Sequence, residues 1–202
     1  MLRLYTAATP NGRKASIALE ELGLSYEVHK LDLSAEEQLR PEFLRLNPNH
    51  KIPVIDDEGL VIWESGAILL HLAEKHGKLL PADPKHRIQA IQYAFFQTGG
   101  LGPNLGRLAP QLRRPEAERN QEMIEIFSGE ADRLLGVIDR VLDDGRAYLV
   151  GEYSIGDIMH YPWLALVRAL KAPMLLERER VLAWVDRIGE RPAVQRGMAV
   201  PG

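Results

Sequence analysis

A proline stands at the entrance to a strand pattern in this chain, and that position restricts the fold more than any other. Asn47-Pro48-Asn49-His50-Lys51-Ile52-Pro53-Val54 runs into Val54-Ile55, the turn Asp56-Asp57-Glu58-Gly59 and Leu60-Val61-Ile62, which together read as a β-hairpin. Pro53 has no N–H for a sheet ladder, so it belongs at a strand's first residue, at an edge, or after a cis peptide bond. Trp63-Glu64-Ser65-Gly66 follows, where the apolar strand gives way to a helix over Ser65 to His76. A carboxylate and a hydroxyl thus stand beside the unpaired N–H groups of a helix start. An exposed backbone edge close to an anion cradle suits a short peptide carrying a free α-amino-acid head.

The rest of the first third alternates in type. Leu2 to Tyr5 is a short apolar strand, and Gly12 to Leu22 carries Ala15, Ile17, Ala18, Leu19 and Leu22 at helical spacing, with Gly23 as a stop. Tyr26 to Leu31 alternates at period two, and Pro41 to Leu46 is a short helix ended by Asn47-Pro48. The two prolines and absent periodicity of 77–85 predict a linker at 78–85 between a domain at 1–77 and a second at 86–202. The second is helical: Arg87 to Leu112, interrupted at Gly99-Gly100-Leu101-Gly102-Pro103, then Glu116 to Leu142, Ser154 to Leu170 and Glu179 to Glu190. The expected class is an α/β domain followed by an all-α domain. Ser154-Ile155-Gly156-Asp157 fits the capping box, which gives Asp157 a folding role rather than a catalytic one.

Composition narrows the chemistry. A net charge of −3 over 202 residues gives no electrostatic reason to expect nucleic acid or an anionic membrane as partner. No apolar run is long enough to span a bilayer, and the N-terminus enters a strand without signal-peptide architecture, so a cytoplasmic protein is expected. The six histidines show no ligand spacing, and no metal is expected. The cysteine count is zero, which excludes disulfides, thiolate metal sites and a cysteine nucleophile. Any thiol chemistry must therefore arrive with a cosubstrate.

These motifs resemble the glutathione transferase superfamily over nearly the whole chain. Leu4-Tyr5-Thr6-Ala7-Ala8-Thr9-Pro10-Asn11-Gly12-Arg13-Lys14 is most similar to the bacterial nu class, the disulfide-bond reductases. The resemblance implies a thioredoxin-like N-terminal domain with a mixed four-stranded sheet and a cis bond before Pro53, followed by an all-helical domain. It implies glutathione as cosubstrate, one or two per site, and a homodimer. Glu64 and Ser65 would hold the γ-glutamyl group, and Ile52 would pair its backbone with the cysteinyl unit. His50 and Lys51 stand where the glycyl carboxylate needs a donor, and Gln38 matches a further contact. Thr9 and Asn11 match the residues placed near the glutathione sulfur; read alone they are a turn and a helix cap. Tyr5 falls inside the strand, which favours packing over thiol activation.

The implied activity is attack by the glutathione thiolate on small or mixed disulfides. The alternatives are conjugation of an electrophile at the same thiol site, or a glutathione-binding module of this fold without catalysis. One departure is Gly66, where several other transferase classes carry Arg. Phe95 to Pro103 resembles the nu-class helix that borders the active site. No C-terminal helix is expected to cover the pocket after Arg191-Pro192-Ala193-Val194, which predicts an open site.

Overall fold

A computed structural model describes all 202 residues. In chain order the elements are β1 (Leu2–Thr6), α1 (Pro10–Leu22), β2 (Tyr26–Lys30), α2 (Pro41–Leu44), β3 (Val54–Asp57), β4 (Leu60–Trp63) and α3 (Ser65–His76). Helices α4 (Pro84–Phe96), α5 (Gly102–Arg113), α6 (Gln121–Val141), α7 (Ile155–Ala169), α8 (Pro173–Leu176), α9 (Glu179–Gly189) and α10 (Pro192–Met198) follow. The chain groups into two compact units, Met1–Lys78 with Glu190–Gly202, and Leu79–Gly189.

The first unit is built on a mixed sheet of order β2-β1-β3-β4, parallel between β1 and β2 and antiparallel elsewhere. Alternation along β1 buries Leu2, Leu4 and Thr6 on one face. Leu4 lies in register with Ile55 there, and α1 and α3 supply the fully buried Ala15, Ala18, Leu19, Ile68, Leu69 and Leu72. The opposite face is a smaller cluster of Leu31, Phe43 and Val54, joined by Tyr5, Leu33, Leu46 and Ile52. Tyr5 also stacks on His29 at 4.6 Å between ring centroids, so its ring is a packing element.

The residues after Arg191 form the short helix α10, which does not line the cavity described below. They pack on α1: a Cβ on Gly197 would come within 2.5 Å of Ile17 Cα, and the Ser16 hydroxyl donates to Gly197 O at 2.7 Å. Two ion pairs, Arg191 with Glu21 and Arg196 with Glu20, both at 2.7 Å, hold the same contact. These contacts group Glu190–Gly202 with the first unit.

In the second unit the glycine-rich break between α4 and α5 is a π-helical turn at Gln97–Leu101. Just after it, a Cβ on Gly102 would meet the Gln97 side-chain amide at 2.6 Å and the Gln97 carbonyl oxygen at 3.0 Å. Helix α7 opens with the expected capping box. Buried Asp157 accepts hydrogen bonds from Ser154 N at 2.9 Å, Leu149 N at 3.1 Å and Trp184 Nε1 at 2.9 Å, so its carboxylate is consumed in folding. No helix of the chain is long and apolar enough to cross a membrane.

Candidate functional site

The β1–α1 turn is shaped by its own hydrogen bonds. Thr9 is the N-cap of α1, accepting from Gly12 N through Oγ1 at 3.1 Å, and Pro10 fills the first helical position. Gly12 is required here, because a Cβ would collide with the Ala7 carbonyl and the Thr6 hydroxyl. The cap uses one lone pair of Thr9 and leaves its O–H free to donate elsewhere.

Across from that turn lies the segment between α2 and β3. The Ile52–Pro53 bond is cis. Asn47, only 1% exposed, donates through Nδ2 to Lys51 O at 2.7 Å and accepts from Asn49 N at 2.9 Å. Neither the N–H nor the C=O of Ile52 makes a hydrogen bond within the chain. Glu64 precedes α3 with φ 72°, a left-handed value unusual for a residue with a side chain. Its carboxylate and the Ser65 hydroxyl likewise make no hydrogen bond within the chain.

These pieces enclose a cavity of about 260 Å³ lined by Asn11, Asn47, Lys51, Ile52, Pro53, Glu64 and Ser65. Six of these seven are residues singled out in the sequence. Thr9 lines a neighbouring, more open hollow of about 570 Å³ with Ala7, Ala8 and residues of the 30–37 segment. Gln38 and His50 line neither. Gln38 stands in a short 3₁₀ turn with its Oε1 buried and unpaired, and His50 is exposed with φ 47°.

Asn47 joins the expected residues at the cavity; an Asn that bonds the backbone two residues on is the standard Asx-turn signal. Lys14 lies on the buried face of α1, one turn after Asn11, and is 2% exposed. Burial pushes its ammonium group down to about 7, and the Glu64 carboxylate opposes that shift. Its signal was a lysine set among Ala15, Ile17 and Ala18 on a helix face that had to be buried.

The arrangement can hold an extended peptide by its backbone at Ile52 and an α-amino-acid head at Glu64 and Ser65. No group of three or more His, Cys, Asp or Glu side chains that could hold a metal is present. Residues 1–74 match the family described as glutathione S-transferase, N-terminal domain, and residues 87–192 match glutathione S-transferase, C-terminal domain. The disulfide-bond oxidoreductase YfcG of Escherichia coli (strain K12) is 39% identical over 206 residues, covering 98% of this chain and 94% of that protein. A glutathione transferase from Pseudomonas putida, with one glutathione disulfide bound per subunit, is 43% identical with a TM-score of 0.92, covering 100% of this chain and 92% of that one. A second, from Burkholderia graminis with two glutathione molecules bound per subunit, is 40% identical with a TM-score of 0.92, covering 99% and 88%. The chain belongs to the glutathione S-transferase family.

Proposed function

We propose that this chain is a glutathione-dependent disulfide-bond reductase. The observation that carries the reading is the set of uncommitted groups around one cavity: the Ile52 backbone, the Glu64 carboxylate and the Ser65 hydroxyl. Each matches a group of glutathione. Ile52 pairs with the cysteinyl unit as an added strand, Glu64 takes the γ-glutamyl ammonium, and Ser65 with the α3 N-terminus takes its carboxylate. Lys51 and His50 serve the glycyl carboxylate, with Gln38 as an outer contact. Asn11 and the Thr9 hydroxyl face the sulfur and favour the thiolate by hydrogen bonding. The activity named for the relative YfcG, and the glutathione disulfide held by the Pseudomonas putida protein, support disulfides as substrates.

The bound thiolate attacks one sulfur of the substrate disulfide, forming a mixed disulfide with glutathione and releasing the other half as a thiolate. A second glutathione thiolate attacks the glutathione sulfur of that mixed disulfide, giving glutathione disulfide and the second substrate thiolate. The chain has no cysteine, so the resolving thiol comes from glutathione. A cytoplasmic homodimer belongs to the same proposal, supported by exposed Leu60, Val61 and Trp63 on edge strand β4. The test is product stoichiometry with a mixed disulfide of glutathione. One glutathione disulfide per substrate consumed, with no mass added to the protein, is expected; an adduct on the protein would contradict the scheme.

A further inference from the structure

The open hollow of about 570 Å³ at Thr9 differs in chemistry from the cavity at Asn11, Glu64 and Ser65. Uncommitted polar groups rim the cavity, whereas the charged side chains of the hollow are already engaged within the chain. Asp32 accepts from Ser34 N at 2.9 Å and from the Ser34 hydroxyl at 2.6 Å. Glu37 accepts from Asp32 N at 2.8 Å and pairs with Arg40 at 3.0 Å. Lys30 donates to Gly202 O at 2.8 Å. What the hollow leaves to a ligand is the apolar lining of Ala7, Ala8, Leu31 and Leu33. Such a lining suits an apolar group, because a polar one would give up water and gain no partner.

The position of the hollow supplies its occupant. Thr9 caps α1 and borders the hollow, and Asn11, in the first turn of the same helix, borders the cavity. The hollow therefore opens at the turn assigned to the glutathione sulfur. In a mixed disulfide of glutathione the second sulfur is bonded to the first, so the group it carries has to pass this turn. We propose that the hollow is the subsite for the other half of the disulfide, that this half is an apolar thiol, and that Ala8 is a specificity-determining residue. Ala7 and Ala8, small side chains in succession, keep the hollow open beside Thr9. This rests on the glutathione reading and names its substrate class. The apolar half stays in the hollow until the second glutathione thiolate takes the glutathione sulfur, and it then leaves as a thiolate.

The experiment is calorimetric titration with two thioethers that cannot exchange, S-methylglutathione and S-naphthylmethylglutathione. Wild type is expected to bind the naphthyl ligand about tenfold more tightly, the equivalent of burying roughly two CH₂ groups. A8E puts a carboxylate on the apolar lining at an exposed position and should bring the two affinities together. Equal wild-type affinities, or a naphthyl preference that survives in folded A8E, overturn the inference. If A8E does not fold, S34E, at an exposed position of the same lining, decides on the same terms. Absence of wild-type binding to S-methylglutathione would remove the glutathione reading itself, whereas binding of both ligands without preference removes only this inference.

Discussion

Asn47 donates its side-chain amide to the carbonyl of Lys51 at 2.7 Å, and so fixes the backbone that brings Ile52 to the cavity. Its Oδ1 holds Asn49 N at 2.9 Å, so one buried side chain sets both ends of the loop. Asn47→Ala removes two hydrogen bonds to the backbone of Asn49 and Lys51, each worth about 0.5–1.5 kcal/mol. Urea denaturation should register that loss. Glutathione affinity, read by calorimetry, should weaken about tenfold, which corresponds to about 1.4 kcal/mol. Unchanged affinity in the folded variant would show that Ile52 does not depend on this clamp.

Binding and turnover separate at two residues of the same cavity. Ser65→Ala removes a hydroxyl that has no partner in the chain, so stability should hold while glutathione affinity drops by about 1 kcal/mol, roughly fivefold. Asn11→Ala should chiefly lower turnover at neutral pH, with a deficit that shrinks as pH rises and the thiol ionises unaided. Steady-state kinetics from neutral to alkaline pH distinguish the two. Equal effects of both changes on affinity alone would remove the thiol-facing role from Asn11.

Thr9 carries two duties that one substitution can split. Asp is as good an N-cap as Thr, so Thr9→Asp should keep the bond from Gly12 N and the stability of α1. A carboxylate near the sulfur, however, opposes thiolate formation. Turnover should fall at least about tenfold, the equivalent of one pKa unit, while the melting temperature holds. Thr9→Ala should instead lose about 1 kcal/mol of stability through the cap. If Thr9→Asp retained full turnover, Thr9 would be a cap and nothing more.

Acid stability should reside partly in Asp57. Burial pushes its carboxyl up, but hydrogen bonds from His71 at 2.8 Å and Lys75 at 2.7 Å outweigh that and hold it below the ordinary carboxylate value. A depressed carboxylate contributes stability that is fully present above its unfolded value, near 4. That contribution is lost as pH falls through the folded value. Asp57→Asn should therefore be less stable at neutral pH and show a flatter decline on acidification below about pH 4. Urea midpoints of both proteins across that range check it. Parallel acid limbs would mean that other carboxylates govern the decline.

Local signals carried much of this fold. The hairpin, the α3 start at Ser65 and the Ser154–Asp157 box are read from neighbouring residues, because turns, caps and period-two alternation are decided within a few positions. Helix α10 was not legible, since what holds Gly197 against Ile17 and Ser16 is a close approach between residues far apart in sequence. The short α8 escaped for want of length over which periodicity could register. At the site, Asn11, Lys51, Ile52, Pro53, Glu64 and Ser65 fall on one cavity, while Gln38 and His50 stand off it. His50 is adjacent to Lys51 in sequence but takes a left-handed backbone, a change of direction its neighbours do not encode. Asn47 was visible as a residue type; its place depends on burial, which only the packed structure supplies.

The decisive assay is turnover of a mixed disulfide of glutathione, coupled to glutathione reductase and run beside conjugation of an aromatic chloride. Strong disulfide reduction and feeble conjugation are expected, both falling roughly fivefold with Ser65→Ala at low glutathione. Conjugation without disulfide reduction would contradict the reductase reading.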